Sequence, residues 1–233
     1  MIRKVFRRIF DNTASIAACK ASDSLALNLL DSIDVGLGFK PWTRAAMRPS
    51  TIVHVLNEIF INDRKSIIEF GSGISTLYFA WAAKETNSHI ISIEENEDWS
   101  AKIKGMLIDQ GLDKFCDIHV AERKNLKIKD YTSYWYDLEK VRGLIDCKKV
   151  DLVIVDGPTA FQKGQENARR PAIDVLEPNL ADSCAIFLDD ALRAGEQAIL
   201  RAWEASLGLK AELEPIAGGH AYIGRGPRYF SGL

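Results

Sequence analysis

The chain has 233 residues, 47% of them hydrophobic, which is enough for one sizeable core and short for two. Thirty basic residues against 32 acidic ones leave a formal charge of -2, so no general field exists to hold a phosphate backbone and nucleic acid is a disfavoured partner. The four cysteines, Cys19, Cys116, Cys147 and Cys184, form no CxxC pair, which fits a reducing, cytoplasmic setting.

At the start, MIRKVFRRIF places Arg3, Lys4, Arg7 and Arg8 around Val5, Phe6, Ile9 and Phe10. The pattern predicts a basic amphipathic helix and neither a signal peptide nor a membrane span, because no long apolar run follows. Such a helix either touches a membrane or partner weakly or packs on its own domain. Leu25, Leu29 and Ile33 fit one face of a further helix, and VGLGFKPWTRAAMRP then breaks the period with Gly36, Gly38, Pro41 and Pro49. Its Trp42, Arg44, Met47 and Arg48 read either as a lid over a crevice or as packing for the N-terminal helices. Residues 1–49 are therefore expected to form a helical segment that either supplies a lid or only packs, and 50–233 the main domain.

After Pro49 a helix resumes with Ser50 as its cap. KSIIEF is then a short apolar strand, GSG a turn, and STLYFAWAAK a helix. The unit recurs, with HIISIE as strand, NEDWSAKIKGMLIDQG as helix and DIHVAE as strand. The polar stretch from Arg123 to Lys149 reads as a loop entering a helix. VDLVIVDGP and SCAIFLDD are apolar enough for central strands covered on both faces, and ALRAGEQAILRAWEASLG is a long helix closed by Gly208. LKAELEPI and HAYIGR are separated by AGG, too short for a crossover, and should pair antiparallel. The fold class is thus α/β, a doubly wound, mostly parallel sheet ending in an antiparallel hairpin.

Gly71 and Gly73 follow the first strand, where glycine permits a tight turn and close approach of a ligand to the next helix. In GSGIST, Ser75 and Thr76 stand where a dinucleotide fingerprint wants a third glycine, which disfavours a pyrophosphate cofactor. Glu94 ends the second strand about twenty residues beyond Gly73, the spacing at which a carboxylate accepts both ribose hydroxyls of an adenosine. Its neighbour Glu95 points the other way if the strand persists. Glu69, at the end of the first strand, reads either as the contact for a cationic amino-acid tail or as a strand-end residue that reaches water.

IIEFGSGISTLYFA, IISIEENEDW, DIHVAE, VDLVIVDGP and AIFLDDALR, in that order, resemble the Rossmann-like class I S-adenosylmethionine-dependent methyltransferases over about residues 50 to 226. Within them the chain looks like small-molecule O-methyltransferases acting on sugars or other hydroxylated metabolites. The resemblance implies a seven-stranded sheet of order three, two, one, four, five, seven, six with the seventh strand antiparallel. It implies that the glycine segment, Glu69 to Gly73 with Ser72 and extending to Ser75 and Thr76, wraps the methionine part. Glu94, with Glu95 beside it, would lie at the ribose, and Ala121 and Glu122 would flank the adenine.

On the acceptor side, Asp156 ends the fourth core strand and Asp189 with Asp190 the fifth, so all three approach one crevice. Catechol-type O-methyltransferases place an Asp and an Asp-Asn pair at these points to bind magnesium, and here Asp190 replaces the Asn. The three aspartates are therefore expected either to hold a magnesium ion or, metal-free, to raise one another's pKa and furnish a general base. His220, in the AGGH loop, is a second base or substrate contact, or else an ordinary turn residue. Lys163, Arg169 and Arg170 either neutralise an anionic substrate or cover a helix surface. YTSYWY is a rim of the crevice or a homo-oligomer contact. Two other functions compete: a nicotinamide-dependent oxidoreductase or epimerase, and a non-catalytic cofactor-binding or RNA-modification accessory protein.

Overall fold

The computed structural model describes residues 21–214 and 219–232, so the basic N-terminal segment and Cys19 lie outside the described residues. The helices are α1 (residues 21–31), α2 (Pro49–Ile61), α3 (Ile74–Thr86), α4 (Glu97–Asp109), α5 (Leu138–Ile145), α6 (Pro171–Leu176) and α7 (Ala194–Leu207). The strands are β1 (Ser66–Phe70), β2 (His89–Glu94), β3 (Cys116–Val120), β4 (Arg123–Ile128), β5 (Tyr131–Tyr136), β6 (Val150–Val155), β7 (Leu180–Leu188), β8 (Glu212–Glu214) and β9 (His220–Arg225).

Seven strands form one sheet in the order β3-β2-β1-β6-β7-β9-β8. β9 runs antiparallel to both its neighbours and the other pairs are parallel, as expected for this fold class. Successive side chains leave opposite faces of a strand, so β1 sends Ile67 into one core and Ile68 and Phe70 into the other. β6 divides likewise, with Leu152 and Ile154 on one side and Val153 and Val155 on the other. Both faces are covered, which explains the unbroken apolar runs in these strands. Ala26, Leu30, Val35 and Met47 join the first of these cores, so the described part of the N-terminal segment packs on the sheet domain. Among the described residues no helix is long and apolar enough to cross a membrane.

The polar stretch after Arg123 departs from expectation. Instead of a loop it forms the antiparallel pair β4-β5, with Ile128 opposite Tyr131 and Lys129 in a left-handed conformation at the turn. Tyr131, Ser133 and Trp135 turn inward while Thr132 and Tyr134 are exposed, an alternation of period two that suits a half-buried strand. Asp137 then accepts hydrogen bonds from the backbone N–H of Glu139 and Lys140 and starts α5.

Candidate active site

The carboxyl ends of β1, β2, β6 and β7 converge, and a cavity of about 360 Å³ opens above them. One end is made by Gly71, Ser72 and Glu94, the other by Asp156, Asp190 and Arg193. A smaller cavity of about 90 Å³ continues from it between Gly73, Trp99 and the Ala45–Met47 stretch, and Asp156 lines both.

The two glycines of the turn serve different purposes. Gly71 has φ +90°, and a Cβ there would lie 2.8 Å from the backbone nitrogen of Gly157, so glycine is required for the β1 and β6 loops to cross. Those loops are tied by Gly157 N–H donating to Phe70 O at 2.6 Å, and Gly71 N–H donates to Ile93 O of β2 at 2.8 Å. Gly73 is extended, and a Cβ there would meet only Ser75 Oγ at 3.9 Å, which leaves room for a ligand.

Glu94 sits at the end of β2 with 6% exposure. Its Oε2 accepts from Ser72 N–H at 2.9 Å and Ser72 Oγ–H at 3.0 Å, and Oε1 accepts from Asn96 N–H at 2.9 Å. β2 stops at Glu94, so the alternation that would turn Glu95 away is lost. Glu95 faces the same cavity, pairs with Arg123 at 3.2 Å and accepts from Thr159 N–H at 3.2 Å.

Glu69 neither reaches water nor faces the cavity. It is fully buried and accepts from Ser75 Oγ–H at 3.0 Å, Thr76 Oγ1–H at 2.7 Å and Ser92 Oγ–H at 2.6 Å. Burial pushes its pKa up to about 7, against the opposing pull of the three hydroxyls. Ser75 and Thr76 are thereby committed to pinning the first turn of α3 to β1 and β2, although Ser75 also edges the smaller cavity. Ala121 is buried in the second core and Glu122 is exposed; neither lines the cavity.

The acidic trio does come together, with one oxygen of each of Asp156, Asp189 and Asp190 within 4.8 Å of the others. Adjacent strand residues ordinarily diverge, and here the left-handed conformation of Asp190, φ +58°, returns its carboxylate to the side of Asp189. Arg169 lies beneath them with its side chain 4% exposed. It pairs with Asp156 at 3.2 Å and Asp190 at 3.3 Å, and donates to Asp189 O at 3.0 Å and Pro158 O at 3.3 Å. Of the three cations weighed in sequence, Arg169 is thus an internal counterion, not a surface residue. Arg170 stacks on Tyr131 away from the cavity, and Lys163 is exposed. Arg193 closes the mouth with a 2.7 Å pair to Asp190. Burial raises the Asp156 carboxyl to about 6, with Arg169 opposing, and burial together with the charge of Asp156 raises Asp189 well above the ordinary range.

His220 stands apart. Its side chain points under the sheet edge, where Nδ1 meets Thr51 Oγ1 at 3.0 Å and Nε2 meets His54 Nδ1 at 2.8 Å. It is 3% exposed and does not line the cavity, because β9 turns this first residue toward α2.

The family described as "Methyltransferase domain" matches residues 68–191, more than half of the chain. The chain belongs to this methyltransferase family. Its cofactor class, S-adenosylmethionine, and its class I Rossmann-like fold agree with the sheet order and with the position of the cavity. No curated protein sequence matches the chain. Solved structures share the fold at low identity. A provisionally assigned caffeoyl-CoA O-methyltransferase from Staphylococcus aureus is 17% identical, with a TM-score of 0.60 over 80% of this chain and 86% of that one. The O-methyltransferase TomG from Streptomyces achromogenes, involved in tomaymycin synthesis and solved with S-adenosylmethionine, is 14% identical, with a TM-score of 0.54 over 89% and 90%. An O-methyltransferase from Bacillus cereus in complex with S-adenosylhomocysteine is 13% identical, with a TM-score of 0.56 over 88% and 89%.

Two residues of the methyltransferase cavity, Trp99 and Phe161, escape a reading by sequence, and a third, Tyr136, is legible only as part of a candidate rim. Trp99 lines both cavities and donates from Nε1 to Ser72 O at 2.8 Å, fixing the glycine loop. Tyr136, at the end of β5, is fully buried, lines the cavity, and its hydroxyl meets no hydrogen-bond partner among the described residues. Phe161 stands at the mouth with 76% exposure. For Tyr136 the signal was the aromatic run YTSYWY, whose last member turns into the cavity; Trp99 and Phe161 lie outside any motif. The Trp42–Arg48 segment divides: Arg44, Ala45 and Ala46 line the cavity, whereas Trp42 packs near Tyr78 and Met47 is in the core.

Proposed function

We propose that the methyltransferase moves a methyl group from S-adenosylmethionine to a hydroxyl of a small acceptor such as a sugar or related metabolite. The observation that carries this reading is the position of Asp156, which lines both the glycine-loop cavity and its continuation and lies beside Asp189 and Asp190. When bound, S-adenosylmethionine supplies an electrophilic methyl group on a sulfonium sulfur. Glu94 takes the ribose hydroxyls, Gly73 leaves space for the amino-acid tail, and the Tyr136 hydroxyl, which has no partner among the described residues, donates to the ligand. With S-adenosylmethionine bound, Asp156 would take the acceptor hydroxyl's proton as its oxygen forms the new O–C bond and the S–C bond breaks, the electron pair staying on the sulfur of S-adenosylhomocysteine. Arg44, Ala45 and Ala46 cover the reacting groups from water, and Phe161 offers an apolar face to the acceptor.

The O-methyltransferase assignments of the structural neighbours support the choice of oxygen as the accepting atom. A nicotinamide cofactor is disfavoured because Ser75 and Thr76 are locked onto Glu69 where a pyrophosphate would need a third glycine. Magnesium does not fit the trio either, since Arg169 already holds two of its three carboxylates; no step is assigned to a metal.

Calorimetry with S-adenosylhomocysteine and with NAD is the first test, and binding of NAD in preference would overturn the reading. An acceptor screen with hydroxylated metabolites should then show turnover that Asp156→Asn lowers by about a hundredfold or more, within the usual range for a general base, at unchanged S-adenosylhomocysteine affinity.

A further inference from the structure

An acidic trio at the carboxyl edge of this sheet invites a divalent ion, yet the place between its members is taken. The Arg169 guanidinium touches Asp156 Oδ1 through Nη2 and Asp190 Oδ2 through Nη1, and so already binds two of the three carboxylates an ion would need. It is held there from behind: Nη1 also donates to Asp189 O at 3.0 Å and Nε to Pro158 O at 3.3 Å. Glu196, from the first turn of α7, adds a further carboxylate at 3.8 Å. The side chain is 4% exposed, so its charge is enclosed with the carboxylates it pairs with. Magnesium demands near-octahedral oxygen ligands at about 2.1 Å. Such an ion, drawn onto Asp156 and Asp190, would sit against a guanidinium that bonds to both.

We infer that Arg169 is the resident cation of this centre, doing in place of a divalent metal what the three aspartates require: it offsets their charge and holds Asp156 and Asp190 facing the acceptor. The inference rests on the methyl-transfer reading, with Asp156 as proton acceptor. Arg169 acts through those carboxylates and is a positioning residue. The trio of Asp156, Asp189 and Asp190 is then kept closed to metal by a side chain from the loop before α6, and Arg193, paired with Asp190 at 2.7 Å, reinforces the closure from the mouth.

The test is titration of the EDTA-dialysed full chain with Mn2+, a magnesium surrogate, followed by the electron paramagnetic resonance signal of the free ion. Wild type should take up no Mn2+ at millimolar concentration. Arg169→Gln should bind one equivalent at least tenfold more tightly, and Arg169→Gln combined with Asp190→Asn should lose it again. One equivalent bound by wild type and lost in Asp190→Asn overturns the proposal, as does a folded Arg169→Gln that gains no site. If Arg169→Gln does not fold, Arg169→Met replaces it; if neither folds, the wild-type titration alone decides. Calorimetry with S-adenosylhomocysteine runs beside these titrations. Its failure would remove the methyl-transfer reading, while the Mn2+ result would still decide whether Arg169 keeps the trio closed to metal.

Discussion

A carboxylate offers about four lone-pair sites, and in Glu94 three already accept from Ser72 and Asn96. Holding a ribose therefore means that the Ser72 hydroxyl swings aside while the backbone contacts remain. Glu94→Gln turns one acceptor oxygen into a donor and removes the charge, so affinity for S-adenosylhomocysteine should fall by roughly 1.5–3 kcal/mol, the worth of hydrogen bonds to a charged group. Ser72→Ala should change it little, and unchanged affinity in a folded Glu94→Gln would remove the ribose role. Tyr136 is the reverse case, a buried hydroxyl with no partner among the described residues, which the proposed function pairs with the ligand. Tyr136→Phe should leave the melting temperature unchanged or raised, because no protein contact is lost, and weaken S-adenosylhomocysteine by about 1 kcal/mol, the net value of a neutral hydrogen bond. A loss of stability without a loss of binding would place its partner within the protein.

Elements, more than residues, were legible in the sequence. The strand-turn-helix order, the apolar β6 and β7 and the hairpin closing the sheet all follow from period and loop length, because both faces of the sheet are buried and leave plain apolar runs. The β4-β5 pair was missed because its outward face, with Asn125, Lys127 and Thr132, and the exposed Lys124 on the other face hide the inward alternation of Leu126, Ile128, Ser133 and Trp135. At the site, the trio was legible because the ends of two neighbouring strands, β6 and β7, share one edge. Arg169 was not, since nothing in NARRP tells which arginine turns inward; that depends on a 20-residue separation closing in space. The glycine loop was legible, and Gly71 makes the tight turn expected of it, but its close approach to Gly157 was not legible. Gly71→Ala should accordingly destabilise the fold by about 2–4 kcal/mol, from an unfavourable positive φ and overpacking against Gly157. Chemical denaturation measures this, and a cost under about 1 kcal/mol would show that the crossing can relax. Gly73→Ala should cost less stability and more affinity.

Across the whole molecule, two buried groups of titrating residues pull stability in opposite directions over the same pH range. Under the sheet edge, His220 and His54 join β9 to α2, and Ser231 passes the chain of hydrogen bonds on to Glu58, which pairs with Arg64. Burial lowers His54 from 6.5 to about 4 and His220 from 6.5 to about 3, so the unfolded chain binds more protons than the native one in that window. Their contribution is complete above pH 6.5 and is lost as pH falls toward 4 and 3. Glu69, behind the glycine loop, does the opposite: its pKa rises from 4.5 to about 7, so the native state holds the extra proton and stability falls as pH climbs from 4.5 to 7. At about 1.36 kcal/mol per pH unit, Glu69 and His54 each contribute on the order of 3 kcal/mol and His220 on the order of 5 kcal/mol. Between pH 4.5 and 6.5 the two slopes oppose, and single variants should separate them. Glu69→Gln, which mimics the protonated acid among its three hydroxyls, should make stability rise more steeply with pH than in wild type. His220→Gln should make it rise less, or fall. Urea denaturation at half-unit steps from pH 4.5 to 7 reads both, and variants whose slopes match wild type would show that neither group changes protonation on folding.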